Sequence, residues 1–316
     1  MRITVTGAGG FIGHHLSKRL RAMGHVVIGV DIKHPEFESH NCHEFKILDL
    51  TNATAAAEAV YKSERVFHLA SNMGGIGFIE SHKGEIVRDN TRIDLNTFEA
   101  SRVYGIKRLL YSSSACVYPK YLQESTNVTP LKESEAYPAE PEDGYGWEKL
   151  YAERLCRHYR EDFGLETRIA RFHNIYGELG TYDGGREKSP AAICRKVALA
   201  KNDDEIEIWG DGKQTRSYCY IADCVEGLIR LMDSGFHEPI NIGTNNLVTI
   251  DDLVDMVAKV AGKKIQKRYD TTKPQGVRGR NADVTLLRKV LDWEPQTSLE
   301  DGLRTTYRWI EKQVGK

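Results

Sequence analysis

The chain has 316 residues, of which 40% are hydrophobic and 28% charged, with a formal net charge of −1 at pH 7. This length suits one large domain and a smaller one, each able to bury a core. The near-neutral balance removes the electrostatic basis for binding nucleic acid or an anionic membrane, and no apolar run is long enough to span a bilayer.

In chain order, residues 3–6 form a short, apolar, β-branched strand. Residues 11–23 follow with helical spacing, Phe11, Ile12, Leu16 and Leu20 lying on one side. Residues 26–30 make a second buried strand that runs into Asp31, and 45–48 and 66–69 a third and fourth. Residues 85–104 read as a long helix, 108–112 as a fifth strand, 145–163 as a second long helix and 167–171 as a sixth strand. Repeated βα units of this kind imply an α/β fold with a doubly wound, parallel Rossmann-type sheet. Beyond Phe172 the pattern loosens. Residues 173–189 are rich in glycine and charge and read as loops, and helices are expected at 190–200, 222–233, 250–261 and 299–313. The division this suggests is a sheet domain over 1–171 plus roughly 217–243, and a smaller C-terminal α/β domain over 172–216 and 244–316. The six cysteines, Cys42, Cys116, Cys156, Cys194, Cys219 and Cys224, include no CxxC pair, so no metal centre is expected. Scattered thiols without a signal peptide fit a reducing cytosol, and a cytoplasmic location is expected.

The turn between the first strand and the first helix reads Gly7-Ala8-Gly9-Gly10-Phe11-Ile12-Gly13. Gly7, Gly10 and Gly13 let the backbone approach a pyrophosphate and leave the helix N-terminus free to receive it. The spacing is GxxGxxG rather than GxGxxG, and three glycines alone would also fit a structural turn. Asp31, at the end of the second strand, favours the dinucleotide. A carboxylate there accepts from both hydroxyls of an adenosine ribose and repels a 2′-phosphate, so NAD is expected rather than NADP. Phe11 and Ile12 within the loop, and Leu69 and Ala70 at the end of the fourth strand, are counted with the cofactor contacts. Asp49 and Leu50 are placed to meet the adenine, with a helix N-cap as an equal alternative for Asp49.

Tyr145 and Lys149 have YxxxK spacing and share one face of a helix. An ammonium beside a phenol favours the phenolate and lowers its pKa from about 10, which would make Tyr145 a general acid/base for a hydroxyl/carbonyl pair. Lys149 is also placed to hold the nicotinamide ribose. Ser112, Ser113 and Ser114 end the fifth strand at the carboxyl edge, where open α/β sheets bind ligands. Ser114 is expected to orient the substrate oxygen, and the other two need only be a polar strand end. Cys116, two residues past Ser114, falls on the same side of an extended chain. A thiol with an ordinary pKa near 8.5 can serve as a base close to neutrality, although a lone cysteine is more often a buried structural residue.

The glycine loop, the segment Ser113-Ser114-Ala115-Cys116-Val117-Tyr118 and the YxxxK pair, in this order, resemble the extended short-chain dehydrogenase/reductase family, which includes nucleotide-sugar epimerases and dehydratases. Further matching segments are Met73-Gly74-Gly75-Ile76-Gly77-Phe78, Arg171-Phe172-His173-Asn174-Ile175-Tyr176-Gly177, Gly184-Gly185-Arg186-Glu187-Lys188-Ser189-Pro190, Gln214-Thr215-Arg216-Ser217 and Gly276-Val277-Arg278-Gly279-Arg280-Asn281. The resemblance spans almost the whole chain and is strongest to the branch that acts on GDP-mannose. It implies that bound NAD oxidises C4 transiently, so that the protons on C3 and C5, both flanking the new carbonyl, become acidic. Both centres would be inverted to give GDP-L-galactose, or GDP-L-gulose by C5 inversion alone, with the cofactor restored in every cycle. The resemblance makes Cys116 the base and Lys188 the acid. It makes Lys196, Arg216 and Arg280 contacts to the nucleotide diphosphate, Asn174, Glu187 and Gln214 substrate contacts, and Met73, Gly74 and Gly75 the loop that seats the sugar ring. His173 and Tyr176 could equally be core residues. The resemblance also implies a homodimer paired through the helices at 85–104 and 145–163.

Three other readings stay open. A UDP-sugar 4-epimerase would share Gly7, Gly10, Gly13, Ser114, Tyr145 and Lys149 but would not need Cys116 or Lys188. An enzyme like GDP-fucose synthase also pairs a cysteine with an acid, but it consumes NADPH, which Asp31 disfavours. A non-catalytic NAD sensor on the same fold would not need Ser114, Tyr145 and Lys149 together.

Overall fold

A computed structural model describes residues 1–315, the side chain of Ile76 excepted. The first half runs β1 (Arg2–Thr6), α1 (Phe11–Ala22), β2 (Val26–Asp31), β3 (Glu44–Ile47), α2 (Ala53–Val60), β4 (Arg65–His68), α3 (Ile76–Ser81), α4 (Lys83–Val103), β5 (Arg108–Ser114), α5 (Asp143–Phe163) and β6 (Thr167–Phe172). The second half runs β7 (Ile175–Tyr176), α6 (Ser189–Leu199), β8 (Glu205–Trp209), β9 (Thr215–Ser217), β10 (Cys219–Tyr220), α7 (Ile221–Asp233), β11 (Pro239–Ile242), β12 (Leu247–Thr249), α8 (Ile250–Ala261), β13 (Gln266–Asp270), β14 (Gly279–Arg280), α9 (Thr285–Leu291) and α10 (Leu299–Val314).

Seven strands form one parallel sheet in the order β3-β2-β1-β4-β5-β6-β11. The chain reverses its direction of winding between β1 and β4, which opens a crevice at their carboxyl ends. Both faces of the sheet are covered, so its strands read as apolar runs. In β5, Leu110 faces the layer formed by α1, α7 and α9, while Leu109 and Tyr111 face the layer formed by α2, α4 and α5. A separate core joins Ile193 and Val197 of α6 to Leu253 and Val257 of α8 and Leu303 and Ile310 of α10. That second core backs the wall of the cavity described below.

Several elements differ from the expectation. Helix α2 has the sequence ATAAAEAV and therefore almost no apolar/polar period to read. Its cap is Asn52, whose Oδ1 accepts from Thr54 and Ala55 N–H at 2.8 and 3.3 Å. Asp49 instead accepts from Thr51 N–H at 2.9 Å, closing a turn before the helix begins, so the N-cap role weighed for Asp49 belongs to Asn52. The stretch expected to be all loop contains β7, which pairs in parallel with β10. The strands β7–β10 and β12–β14 are only two to five residues long and are held by distant partners, so no local period announces them.

Candidate active site

The glycine loop connects β1 to α1 as expected. Gly7 has φ of +72°, and a Cβ on Gly13 would stand 2.1 Å from the Gly7 carbonyl oxygen. No side chain caps the N-terminus of α1. The first-turn N–H groups thus face a concave surface where a bulkier loop could not close, which fits a pyrophosphate. Asp31 ends β2 and accepts Gly9 N–H at 2.9 Å and Ile32 N–H at 2.7 Å. Burial raises its pKa, and these backbone donors act against that rise. Leu50 is buried, Phe11, Ile12 and Leu69 pack at the edge of the α1 layer, and Ala70 packs at the edge of the other. The residues present therefore fit a dinucleotide.

At the carboxyl ends of β5 and β6, a cavity of about 480 Å³ opens against the elements that carry the second core. Ser114, Cys116 and Tyr145 line it from the sheet side. Lys188, Arg216 and Arg280 line it from the other elements, and Met73, Gly74, Gly75, Asn174, Glu187, Lys196 and Gln214 complete the set expected to meet substrate. The three strand-end serines separate cleanly. Ser112 donates to the His68 carbonyl at 3.0 Å and Ser113 to Glu153 at 2.5 Å, whereas Ser114 faces the cavity within hydrogen-bonding range of Tyr145.

Cys116 reaches the cavity by a different route from the one its spacing suggests. The chain does not stay extended, because Ser114 Oγ accepts Cys116 N–H at 3.2 Å and turns residues Ala115–Val117 into a single 3-10 turn. Helix α5 closes directly onto that turn. A Cβ on Gly146 would lie 2.3 Å from the Cys116 carbonyl, and Glu142 N–H donates to the same carbonyl at 2.9 Å.

Tyr145 is 6% exposed and Lys149 1%. Burial pushes the Tyr145 phenol above its ordinary pKa, and the Lys149 charge and the Ser114 hydroxyl lower it only in part. The lowering expected from Lys149 alone is thus outweighed by desolvation. Burial alone would also weaken the Lys149 ammonium, but Glu148 and Asp94 beside it hold its pKa up. Lys149 lies behind the cavity wall with its Nζ donating to Tyr111 Oη at 3.1 Å.

Lys188 is open to the cavity, yet protein atoms crowd its ammonium. That desolvation lowers its pKa, and neighbouring Cys116 acts the other way. Its loop is tied to Gly75, whose N–H donates to the Arg186 carbonyl at 3.1 Å, and is closed on itself by Gly185 N–H donating to Glu187 Oε2 at 2.7 Å. Arg216 is held by the carbonyls of Thr215, Gln275 and Val277 at 2.8, 3.2 and 2.7 Å. Lys196 donates to the Glu207 carbonyl at 2.7 Å. Asn174, at φ of +32°, donates to the Ser217 carbonyl at 2.9 Å. Gln214 donates to the Trp209 carbonyl at 2.7 Å and keeps a buried Oε1 without a partner. His173 and Tyr176 are core residues, 0% and 4% exposed.

Arg280 sits against the thiol, with Nη1 3.7 Å from Cys116 Sγ, Nε donating to Gln123 Oε1 at 2.7 Å, and an ion pair to Glu142. Glu142 and Gln123 were missed from sequence. Glu142 stands one residue before the helix that carries the YxxxK pair, which is the only local sign of it. Gln123 lies in a segment with no regular period and is placed by the fold alone.

Residues 3–243 match the NAD dependent epimerase/dehydratase family. The chain belongs to that family, and its cofactor is NAD. Over its whole length it is 48% identical to GDP-mannose 3,5-epimerase 1 of Oryza sativa subsp. indica, covering 83% of that protein. It is 49% identical to GDP-mannose 3,5-epimerase of Arabidopsis thaliana, again over the whole chain and 84% of the relative. Among solved structures, the UDP-glucose 4-epimerase of Thermotoga maritima with UDP-glucose aligns at a TM-score of 0.88 and 27% identity, over 99% of this chain and 100% of that one.

Proposed function

We infer that this chain inverts C3 and C5 of GDP-mannose through transient oxidation at C4. The observation that carries this reading is that one cavity holds two acid/base sets, Ser114 with Tyr145 and Cys116 with Lys188. A simple 4-epimerase needs only the first. The two plant relatives, both named for GDP-mannose 3,5-epimerisation, support the same substrate.

NAD would be held by the glycine loop and Asp31 and would supply reversible hydride transfer at C4, so that no external reductant would be consumed. Ser114 and Tyr145 hold the C4 oxygen, and Tyr145 takes its proton during oxidation and gives it back on reduction. Burial favours the neutral phenol, and the Lys149 charge and the Ser114 hydroxyl act against it by stabilising the phenolate that accepts the C4 proton. While C4 is a ketone, Cys116 as thiolate removes the neighbouring proton on one face of the ring. Lys188, its pKa lowered by desolvation, delivers one to the other face. Lys196 and Arg216 furnish charge and hydrogen-bond donors for the nucleotide diphosphate, and the unpartnered Gln214 Oε1 is free to accept from a substrate hydroxyl or amide.

Incubation with GDP-mannose in deuterated water, followed by NMR of the products, tests this. Deuterium is expected at C3 and C5. Turnover with no exchange at either carbon would instead establish simple 4-epimerisation. A homodimer is part of the proposal. Leu95 and Val103 of α4 and Trp147, Tyr151 and Phe163 of α5 are large, exposed apolar residues on two helices that pack side by side, and pairing of two copies would cover them. Sedimentation equilibrium measures it directly. A cytoplasmic location is proposed from six free cysteines, five of them buried.

A further inference from the structure

Behind Tyr145 lies a closed cluster of which the reaction uses only Lys149. Helix α4 contributes Asn90 and Asp94, β4 His68, β5 Tyr111, and α5 Glu148 and Lys149. All are between 0% and 3% exposed. Lys149 Nζ donates to Tyr111 Oη at 3.1 Å. The Tyr111 hydroxyl lies 3.0 Å from Asp94 Oδ2 and 3.4 Å from Glu148 Oε1, so the two carboxyl groups compete for one proton. Glu148 Oε1 is 3.8 Å from the Lys149 ammonium, and its Oε2 accepts from Asn90 at 3.2 Å.

We propose that Asp94 and Glu148 share one proton and, through the Tyr111 hydroxyl, act as positioning residues that keep Lys149 cationic and in place beside Tyr145. This rests on the reading of Tyr145 and Lys149 as the acid/base pair for the C4 hydroxyl.

The argument is one of charge balance. With both carboxyls ionised, the cluster would hold two negative charges against one ammonium in a dry core. An uncompensated buried charge is strongly unfavourable, and two close carboxylates relieve it by binding a proton between them. His68 cannot supply the missing cation. Its Nε2 donates to Asp94 Oδ1 at 2.9 Å, its Nδ1 accepts from the Thr6 hydroxyl at 2.8 Å, and burial and then Lys149 lower its pKa to about 3. The remaining titratable neighbours are Tyr145, Tyr111 and Cys156, all driven upward by burial and so uncharged. Glu148 is likewise pushed up by burial, and Asp94, within hydrogen-bonding range, adds to the rise. The consequence for the reaction has a definite sign. A second negative charge so near Tyr145 opposes its phenolate, so loss of the shared proton at alkaline pH weakens the acid/base step.

Infrared spectroscopy of the NAD-loaded protein in H2O and D2O near neutrality tests the shared proton without any substrate. A protonated-carboxyl carbonyl band that shifts in D2O and is lost in both Glu148→Gln and Asp94→Asn is expected. Its absence from the wild type would overturn the proposal. Because no turnover is involved, this outcome is independent of whether GDP-mannose is the substrate. The second measurement is the pH profile of kcat and KM with GDP-mannose. The alkaline fall in kcat is expected to move up by about one pH unit or more in Glu148→Gln while KM changes less than about twofold. If Glu148→Gln does not fold, Asp94→Asn serves for both measurements. An alkaline limb that stays in place would sink the idea.

Discussion

Helix α5 carries two buried charge clusters, and they are built on opposite plans. Around Glu153, one carboxylate meets one guanidinium. Arg171 donates from Nε and Nη2 to the two Glu153 oxygens at 2.8 and 2.7 Å, and its Nη1 reaches the Glu133 carbonyl at 2.8 Å and the Tyr118 hydroxyl at 3.3 Å. Ser113 donates a further bond to Glu153 at 2.5 Å. Burial alone would weaken the guanidinium, but Glu153 and Tyr118 more than offset it. Around Lys149, by contrast, one ammonium faces two carboxyls and makes one hydrogen bond, to Tyr111. Burial is equally deep in both places. Only the second cluster is out of balance, and its ammonium lies beside the ring of Tyr145, which lines the cavity. Depth of burial therefore does not mark the functional charge here, whereas uneven compensation does.

Substitutions should separate the two plans. The largest effect is expected from Tyr145→Phe, which removes the group that the unbalanced cluster serves. Its kcat should fall by about 10²–10⁴, with thermal stability and NAD content retained. Turnover within about tenfold of the wild type would remove Tyr145 as the acid/base. Glu153→Ala should do the reverse. It leaves the Arg171 charge buried without its carboxylate, and such losses cost about 3–5 kcal/mol, read from the urea midpoint at constant slope. The native fraction that remains should turn over GDP-mannose at a rate close to the wild type. If activity is lost in step with Tyr145→Phe while stability holds, the balanced pair is not purely structural. Tyr111→Phe falls between. It strips the single hydrogen bond of Lys149 and should cost about 1–3 kcal/mol of stability, with a fall in kcat of about tenfold at unchanged KM.

The sequence anticipates one side of this contrast better than the other. The glycine loop, Asp31, Tyr145 and Lys149 stand at fixed offsets within single βα units, so local spacing exposes them. The six anticipated strands and their parallel, doubly wound arrangement follow from the same alternation. Cys116 and Lys188 carry no local signal of chemistry, and they enter only through the resemblance of their segments to a family. The partners of Lys149 are less legible still. His68, Asp94, Tyr111 and Glu148 come from four separate elements, and each looks alone like an ordinary strand or helix residue. Asp94 in particular falls in a long helix with many charges, where a carboxylate is the rule on the solvated face. Its burial at 1% is decided by how α4 lies against β4 and β5. Tertiary packing sets the charge balance of the cluster, and no periodicity reports it.

The smallest effect is also the most specific to the imbalance. Glu148 has its pKa raised in the folded protein, with burial as the main cause, whereas an unfolded glutamate titrates near about 4.3. A raised folded pKa means that its contribution to stability is fully present below the unfolded value. That contribution is lost as pH rises toward the folded value, at about 1.4 kcal/mol for each unit between them. Glu148→Gln cannot lose that contribution. Subtracting the unfolding free energy of the wild type from that of the variant at each pH should therefore give a curve that climbs in favour of the variant from mildly acidic pH and then levels off. The plateau marks the pH at which the shared proton leaves. A difference that stays flat across the range would mean that Glu148 is already ionised in the folded protein, and that the Lys149 cluster tolerates two negative charges against one ammonium.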